Sequence, residues 1–585
     1  MKLEISKIKA DLCVVGGGMA GINTAISAAR LGVKTALVQE RSVFGGNASG
    51  EIRMWVCGTQ DYQYRETGLS EEINLDNFYY NPTKNYNLWN ALLYGKVHDE
   101  ENIIPFLNCT CFDACCENGK IKTITAYQMT TQHIIEIEAD YFADCSGDSI
   151  LAPLSGAEFM YGREGKDDFN EPMFTHTEHD LKTMGNSCLL QARQTNKKVA
   201  FKAPDWAEKV SVEKLKSKEV NLYNPYENFW YLELGGVTDV IGEAENINQR
   251  LLAVCLGTWD TIKNSGEFDA DNFDLEFIGF LGAKRESRRM KGDYVLTAND
   301  IVDGRIFEDT VAYGGWPMDD HYPEGLDGNS SNHCILLTKP YGIPYRCLYS
   351  ENVENLFFAG RNISATHMAM SSARVMGTCS IIGQAVGTAC AVAKKYAESP
   401  RGAGKYIGEI QQLLLNQDCY LPGIKRIVDE KSVAPSIIGV ENAEILRNGE
   451  DRHMPDEVNS VNMKNGSVVT YVFQNPCVVN GVKIVLDSDL QRTTYDMHVC
   501  EKHHSMRSNI LEDSPIMHMP KTLAKKYEVA IVSEDGKRRM IACENENRRR
   551  NILISVCECV KEVSLTVFSN WGDTDQTSVF TFEVY

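Results

Sequence analysis

Two histidines lie where a general base could act. His367 comes a few residues after a short apolar strand that ends at Gly360, and His321 lies in an aromatic and acidic stretch over residues 316–322. Histidine is the usual acid–base group near neutral pH because its unperturbed pKa is about 6.5. We predict that both side chains take part in proton transfer at a catalytic site. A buried structural role is the alternative for His367.

Nearby arginines could bind an anionic or hydroxylated ligand. A fixed guanidinium neutralises a carboxylate or donates hydrogen bonds to a sugar diol. The acids Glu286 and Asp293 could instead pair with the three arginines close to them, and this alternative is favoured for at least two of the three. We predict that Arg288 and Arg374 bind the substrate. The candidate arginines are Arg285, Arg288, Arg289 and Arg374.

A glycine turn near the N-terminus indicates what these side chains would act beside. Gly16, Gly18 and Gly21 follow an apolar strand predicted over residues 12–15, and a helix is predicted over residues 19–31. Gly16 permits a tight turn, Gly18 lets the backbone approach a pyrophosphate, and Gly21 lets helix and strand pack closely. The N–H groups and partial positive charge at the start of the helix attract phosphates.

An acidic residue completes this pattern. Glu40 lies about twenty residues past Gly21, where a carboxylate accepts hydrogen bonds from the ribose hydroxyls of an adenosine. It follows a second apolar strand, predicted over residues 34–38, and precedes the small-residue loop 45–50, which could lie along the same ligand. Strand, turn, helix, strand and acid together predict a dinucleotide-binding unit.

Composition and periodicity change at several points along the chain. Short alternating strands are predicted over residues 105–145, a Gly- and Ala-rich helix over 377–389, and strands of period two beyond about residue 430. The predicted fold class is α/β, with a dinucleotide-binding Rossmann-like domain (FAD-binding, as the resemblance described below implies) and an inserted α+β substrate domain, plus a C-terminal all-β sandwich. The predicted segments are 1–155 (first part of the dinucleotide-binding domain), 156–345 (substrate or cap region), 346–400 (return segment), 401–429 (helical linker) and 430–585 (β-sandwich).

Composition also narrows the class of protein. The net charge of −21 argues against nucleic acid or an anionic membrane as partner. The nineteen cysteines are scattered and odd in number, which indicates a reducing compartment, and the cluster over residues 109–116 is typical of a hairpin rather than a metal site. The first strand begins close to the N-terminus and leaves no room for a signal peptide. We predict a cytoplasmic protein without a metal site.

The first and third segments resemble the FAD-dependent oxidoreductases of the glutathione-reductase-like superfamily. More closely, they are similar to a bacterial group labelled FAD-dependent oxidoreductase or xanthan lyase. The resemblance rests on the glycine turn with Glu40, the loop at 45–49, the turn at 146–148 and the return stretch 359–367. It implies FAD rather than NAD, because an NAD dehydrogenase does not normally need a distant segment to close its cofactor site. The implied FAD contacts are Gly16, Gly18, Met19, Ala20, Gly21, Glu40, Arg41, Gly45, Gly46, Asn47, Ser49, Gly147, Asp148, Gly360, Arg361, Gly377 and Thr378.

Two further points follow from resemblance. Many members of the superfamily carry Gly-Asp at the return strand, whereas this chain has Gly360-Arg361; we expect Arg361 to pair directly with pyrophosphate. The last segment resembles discoidin or galactose-binding-like sandwiches, some of which bind glycans. A structural role, or a role in forming a homo-oligomer, is favoured over glycan binding here.

The combined prediction is an FAD-dependent dehydrogenase that oxidises a hydroxyl of a sugar, glycoside or polyol. Electrons would leave to a separate small acceptor, because the sequence has no second GxGxxG to hold a pyridine nucleotide. One alternative is a reductase of the C=C bond of an unsaturated acid, with Arg288 or Arg374 holding the carboxylate. Another is a lyase or hydrolase with a structural or transiently redox-active FAD. The last is a glycan-binding protein without flavin.

Overall fold

The computed structural model describes residues 3–171, 178–454 and 457–585. The chain divides into two compact units. Unit 1 comprises Met1–Gln60, Lys84–Ile410 and His504–Pro515, and unit 2 comprises Asp61–Thr83, Gln411–His503 and Ile516–Tyr585.

Strands and helices are numbered in chain order. The strands are β1 (Ile5–Val15), β2 (Thr35–Val38), β3 (Ile103–Phe106), β4 (Cys109–Glu117), β5 (Lys120–Gln128), β6 (His133–Asp144), β7 (Phe159–Met160), β8 (Asn186–Ser187), β9 (Leu190–Gln194), β10 (Glu233–Leu234), β11 (Phe273–Ile278), β12 (Ala283–Lys284), β13 (Arg289–Met290), β14 (Thr310–Gly314), β15 (Met318–His321), β16 (Asn332–Ile335), β17 (Tyr341–Pro344), β18 (Leu356–Phe358), β19 (Ser436–Ile438), β20 (Val461–Lys464), β21 (Val468–Leu486), β22 (Ala524–Ser533), β23 (Arg538–Glu544), β24 (Asn551–Asn570) and β25 (Gln576–Val584).

The helices are α1 (Met19–Arg30), α2 (Leu69–Tyr80), α3 (Tyr86–His98), α4 (Leu151–Ser155), α5 (Val212–Lys216), α6 (Ala244–Asn264), α7 (Ala298–Val302), α8 (His367–Ala373), α9 (Met376–Tyr396), α10 (Pro400–Ala403), α11 (Ile407–Asn416), α12 (Glu430–Val433) and α13 (Val499–His503).

A mixed sheet in unit 1 carries the predicted dinucleotide-binding pattern. Its order is β3-β2-β1-β6-β5-β4, and β18 also pairs with β6. Strands β1, β2, β3, β6 and β18 pair in parallel, whereas β4 and β5 form the predicted antiparallel hairpin. Strand β18 pairs with Phe142–Asp144 at the end of β6, beyond the part that pairs with β5. The predicted return of the chain to the first domain is therefore confirmed.

Helices α1 and α9 pack backbone to backbone, as the small residues of α9 predict. A Cβ added at Gly383 would lie 2.1 Å from the carbonyl oxygen of Ala20, and one at Gly387 would lie 2.3 Å from that of Thr24. By length and composition α9 could also cross a membrane, with a mean hydropathy of 1.4, but 89% of its apolar window is buried inside the protein. It is the core helix behind the glycine turn.

The region between β6 and β18 consists of small sheets and short helices. Its two- and three-stranded sheets are β10-β8-β12, β11-β9, β13-β7, β14-β17 and β15-β16. The long helix α6 buries Trp259 and Ile262 in a hydrophobic cluster with Leu190 and Phe273. This mixture is the predicted α+β composition of an inserted region.

Unit 2 contains an antiparallel seven-stranded sheet of order β20-β25-β21-β24-β22-β23, with β19 on β21. The predicted β-rich C-terminal region is confirmed, and its arrangement is consistent with a sandwich, although unit 2 also contains helices α2, α12 and α13. The region of period-two alternation contains one long strand, β21, whose pairing with β24 shifts between Val472 and Cys477 and again between Val479 and Gly481. Pro476 and Gly481 lie at these irregularities, where such residues are tolerated within a strand.

Two segments are assigned differently from the predicted boundaries. Residues 61–83 belong to unit 2, because Leu75 and Phe78 of α2 pack in the core of that unit and Glu71 forms a buried ion pair with Arg492. Residues 504–515 belong to unit 1. Neither segment has a composition that differs from its neighbours, so the sequence offered no signal for these exchanges.

Candidate functional site

The glycine turn joins β1 to α1 at the carboxyl end of β1, which is an inner strand of the main sheet. Gly16 has a φ of +104°, and a Cβ there would lie 2.4 Å from the carbonyl oxygen of Cys145. A Cβ at Gly21 would lie 1.8 Å from the carbonyl oxygen of Gly16. The helix start has no side-chain cap and no acid in its first turn. Such a helix start suits a phosphate, because its first N–H groups lack carbonyl partners within the helix.

Gly18 differs from the other two glycines in a way that tests the fit of a dinucleotide. Its φ of −70° and ψ of −177° are open to any residue. The one heavy atom within 4 Å of an added Cβ is the Cα of Gly46, at 3.9 Å. Neither backbone conformation nor packing requires glycine here, and the added methyl would stand in a cavity. A ligand that approaches the backbone closely, as a pyrophosphate does, accounts for it.

This space is a cavity of about 430 Å³, which we call the nucleotide cavity. Most of the predicted FAD contacts line it: Gly16, Gly18, Met19, Ala20, Glu40, Arg41, Gly45, Gly46, Asn47, Gly147, Asp148, Gly360 and Arg361. Gly21, Ser49, Gly377 and Thr378 do not line it. Gly21 packs on the turn itself, and Gly377 donates its N–H to the carbonyl oxygen of Cys57 at 2.6 Å.

The hydroxyls of Ser49 and Thr378 are buried and have no hydrogen-bond partner among the described residues. Several lining residues were not predicted, among them Gln39 and Lys284. Gln39 accepts a hydrogen bond from the N–H of Gly17 at 2.8 Å, and its place beside Glu40 was the signal that could have found it. Lys284 comes from the inserted region, and nothing in its local sequence marks it.

Arg361 lines the nucleotide cavity and is also bonded to the turn at 147–148. Its Nε donates to the carbonyl oxygen of Gly147 at 2.9 Å, and its Nη2 pairs with Oδ1 of Asp148 at 2.6 Å. Lys284 pairs with the other oxygen of Asp148 at 2.5 Å. Burial alone would raise the pKa of Asp148, but Arg361 and Lys284 hold this pKa below its usual value. Arg361 thus fixes this turn, and its direct pairing with a pyrophosphate stays a prediction.

A second cavity of about 260 Å³ adjoins the first, and we call it the tryptophan cavity. Trp55, Trp230 and Trp316 line it. The two cavities share lining residues, so a ligand in one would meet a ligand in the other. The shared residues are Asn47, Lys284, Arg361, Arg374 and Met376. An apolar, aromatic pocket with a few polar groups beside a cofactor cleft is typical of a substrate site.

His321, at the end of β15, lines the tryptophan cavity between two carboxylates. Its Nδ1 lies 2.6 Å from Oε2 of Glu233, and its Nε2 lies 3.1 Å from Oδ2 of Asp319. Trp230 meets the imidazole edge-on, with ring centroids 5.2 Å apart. Burial would raise the pKa of Asp319, but His321 and Arg374 hold it well below its usual range. The arrangement can orient the imidazole and hold a proton at either ring nitrogen.

Besides Arg361, two arginines line the tryptophan cavity. Nη2 of Arg374 lies 3.3 Å from Oδ2 of Asp319, and its buried Nε has no hydrogen-bond partner among the described residues. Arg285 lies 3.2 Å from Glu233 and donates to the hydroxyl of Ser187 and the carbonyl oxygen of Trp230. Each guanidinium therefore faces a carboxylate.

The other predicted arginines lie elsewhere. Arg288 lines the nucleotide cavity instead, and donates to the carbonyl oxygen of Asp148 at 3.2 Å, so its predicted contact with substrate is not supported by its position. Arg289 pairs with Glu164 and Glu286, which is the charge-compensated alternative. Asp293 pairs with Arg401 rather than with these arginines.

His367 is placed outside both cavities, which argues against the prediction that it acts as a base. Its Nδ1 lies 2.9 Å from both carboxylate oxygens of Glu286, and its Nε2 lies 3.0 Å from Oδ1 of Asp320. Burial lowers the pKa of His367, but Glu286 and Asp320 outweigh burial and raise it to about 10. Unlike His321, His367 lines neither cavity, and its imidazole belongs to a buried ion cluster with Glu286 and Asp320, as the structural alternative describes.

The raised pKa of His367 predicts how stability depends on pH. Its folded-state pKa of about 10 exceeds the ordinary value of 6.5. The stabilisation from the charged imidazole is therefore full below about pH 6.5, declines as pH rises, and is lost above about pH 10. We expect the difference in melting temperature between the wild type and His367→Gln to be largest at pH 6 and smallest near pH 10. A difference that stays constant across this range would contradict the assignment.

Comparisons with known proteins place the chain in a family. Among solved structures, a geranylgeranyl bacteriochlorophyll reductase-like protein from Thermoplasma acidophilum is 12% identical and has a TM-score of 0.30, covering 70% of this chain and 86% of that one. OxyS anhydrotetracycline hydroxylase from Streptomyces rimosus is 10% identical and has a TM-score of 0.32, and the match covers 69% of this chain and 66% of that one. A family 32 carbohydrate-binding module from Streptococcus pneumoniae EndoD is 11% identical, with a TM-score of 0.19, and covers 26% of this chain and 98% of that module.

At such identities and scores these likenesses carry no inference about substrate. No curated protein matches the chain. The family of FAD dependent oxidoreductases matches it over residues 11–414, which includes the glycine turn, the return strand β18 and His321. The chain therefore belongs to the FAD dependent oxidoreductase family, and it is an FAD-dependent oxidoreductase with FAD as its cofactor.

Proposed function

We propose that the enzyme is a dehydrogenase that oxidises a hydroxyl group of a sugar, glycoside or polyol bound in the tryptophan cavity. The carrying observation is the charge balance of that cavity. Arg285 faces Glu233, Arg374 faces Asp319, and Arg361 and Lys284 both face Asp148, so each cation of the lining already has a carboxylate partner. A neutral ligand with many hydroxyls fits such a site, because the paired groups offer both donors and acceptors.

In this proposal His321 is the base. Its imidazole lines the cavity, and two carboxylates fix its orientation. It would accept the proton of the substrate hydroxyl at Nε2 once the hydroxyl takes the place of Asp319 at that nitrogen, while Glu233, at Nδ1, stabilises the positive charge that the imidazole gains. The chemistry that FAD supplies when bound is acceptance of a hydride from the carbon that carries this hydroxyl. The walls of Trp55, Trp230 and Trp316 would exclude water from that carbon.

Reduction of the C=C bond of an unsaturated acid is the second candidate. It is favoured by Arg374, whose buried Nε has no hydrogen-bond partner among the described residues and could donate to a substrate carboxylate. In either case a separate small carrier would exchange electrons with the flavin. The narrower likeness to the glutathione-reductase-like superfamily and the xanthan lyase group, and a cytoplasmic location, remain part of the proposal.

Anaerobic flavin reduction tests the proposal directly. The oxygen-free holoenzyme is mixed with sugars, polyols and methyl glycosides, and its visible flavin bands are followed. We expect one class of these donors to bleach the bands. If none does, and unsaturated acids reoxidise the dithionite-reduced enzyme where ketosugars do not, the reductase is the correct candidate. If neither class reacts, both candidates are wrong.

A further inference from the structure

A segment from the C-terminal part of the sequence is built into unit 1. His504–Pro515 lies far from the rest of that unit in sequence, which otherwise ends at Ile410. Backbone bonds join Ile510 to Ala192 and Gln194 of β9, so the segment extends the edge of that strand. The side chain of Asn509 accepts from the N–H of Ala192 and donates to the carbonyl oxygens of Leu222 and Asn224.

The start of the segment is held equally firmly. The carbonyl oxygen of His504 accepts a hydrogen bond from Nζ of Lys84 at 2.7 Å, and the hydroxyl of Ser505 accepts from the N–H of Val56 at 3.3 Å. Leu511 packs against the hydrophobic cluster around α6. Residues at both ends and in the middle are therefore tied to unit 1, and the position of His504 is fixed.

His504 lines the tryptophan cavity. Its imidazole stacks on the indole of Trp55, with ring centroids 5.2 Å apart and an angle of 14° between the rings. Tyr226 meets both rings edge-on, at 5.8 Å from Trp55 and 5.7 Å from His504. Trp55 and His504 line the cavity, and contact with Tyr226, which does not line it, helps to fix the planes of both rings.

The family match ends at residue 414, so His504 lies outside the part of the chain that the family shares. The cavity is also small: about 260 Å³, compared with roughly 300–1,000 Å³ for sites of drug-sized ligands. Such a space suits a single ring. Aromatic faces carry partial negative charge and attract the C–H groups on the apolar face of a pyranose, whereas an open-chain polyol has no such face.

We propose that His504 is a specificity-determining residue that, with Trp55, contacts the ring of a monosaccharide pyranoside in the tryptophan cavity. This inference rests on the proposed function for the choice of a sugar. It assigns to the segment 504–515 the role of completing the substrate site. The segment thereby gives this chain a pocket wall that the family-matched region alone does not contain.

The test compares the wild type with His504→Ala, His504→Phe and Asp513→Ala holoenzymes. Asp513 is exposed on the same segment and serves as the matched control. Binding of a panel of methyl glycopyranosides to the oxidised enzyme is measured by titration calorimetry, and flavin reduction by the same compounds is measured separately. FAD content and melting temperature check that each variant is folded.

We expect His504→Ala to raise the dissociation constant about tenfold, in line with the loss of one aromatic contact. His504→Phe keeps the stacking face and should stay within about threefold of the wild type, and Asp513→Ala should be unchanged. If glycosides bind in a His504-dependent way but no glycoside reduces the flavin, the inference stands and the proposed function fails. Equal binding by wild type and His504→Ala overturns the inference. So does a wild type that binds no glycoside, or one that binds phenols instead.

Discussion

Replacement of Gly18 by alanine is expected to give a folded protein that loses its FAD. The backbone at Gly18 is extended, and an added Cβ meets no protein atom closer than 3.9 Å. The same methyl would stand in the nucleotide cavity, where the first N–H groups of α1 must approach the phosphates. Forcing an extra methyl into a close contact costs about 1–3 kcal/mol. The FAD dissociation constant should therefore rise by roughly ten- to hundredfold.

The measurement is FAD content after gel filtration in flavin-free buffer, followed by titration of the apoprotein with FAD. Gly95→Ala is the matched control, because Gly95 lies in α3 with nothing within 4 Å of an added Cβ. This control should keep its flavin and gain up to about 1 kcal/mol of helix stability. Gly21→Ala should differ from both, because its Cβ would lie 1.8 Å from the carbonyl oxygen of Gly16 and disturb the fold itself.

A Gly18→Ala protein that binds FAD as tightly as the wild type would contradict this account. It would mean that the pyrophosphate does not approach the turn at this position. A variant that fails to fold would also contradict it, because the protein alone leaves room for the methyl. Melting temperatures of the two apoproteins, which should agree, separate these outcomes.

Local sequence patterns were sufficient for the cofactor half of the molecule. The glycine turn, Glu40 and the return strand β18 obey rules in which each residue's role follows from its immediate neighbours. The tight packing of α1 on α9 was also predictable, because Gly383 and Gly387 have no other reason to occupy a helix interior. These features depend on backbone geometry, and the spacing of glycines and of Glu40 within a short stretch of sequence is enough to predict it.

The role of His367 depended on partners that no spacing reveals. Glu286 is 81 residues away and Asp320 is 47 residues away, yet both bond the same imidazole. The local sequence around His367 does not distinguish a histidine near a flavin from a histidine in a buried ion cluster. The bond between Arg361 and Asp148 could not be predicted either, because the two residues are 213 positions apart. Charged side chains are paired through tertiary contacts, and the partners in such contacts cannot be predicted from local sequence.

The same reasoning explains why the segment at 504–515 was missed. Its link to unit 1 consists of one short backbone pairing with β9 and a few side-chain bonds. Hydrophobic periodicity does not indicate so short an addition, and the segment lies in the long, fully described stretch between β21 and β22, which contains no strand to mark a change of unit. The wall it adds to the tryptophan cavity became visible only with the fold.

Replacement of His321 by glutamine should have the largest effect on turnover. Glutamine is polar and of similar length, but it cannot accept the proton of a substrate hydroxyl. Loss of a general base lowers a rate by about 10²- to 10⁴-fold. We therefore expect the rate constant for anaerobic flavin reduction by the best donor to fall by that factor. FAD content should be unchanged, because His321 does not line the nucleotide cavity.

His333→Gln is the matched control for this experiment. His333 is exposed on β16, directly opposite Asp320 in the strand pair that also carries His321. It should reduce its flavin at the wild-type rate. A base role also predicts that the pH dependence of reduction is lost in His321→Gln, whereas a merely structural role would lower the rate equally at every pH. If His321→Gln instead weakens donor binding and leaves the limiting rate intact, His321 binds the substrate and the proton passes to another group of the cavity, with Asp319 the nearest carboxylate to Nε2.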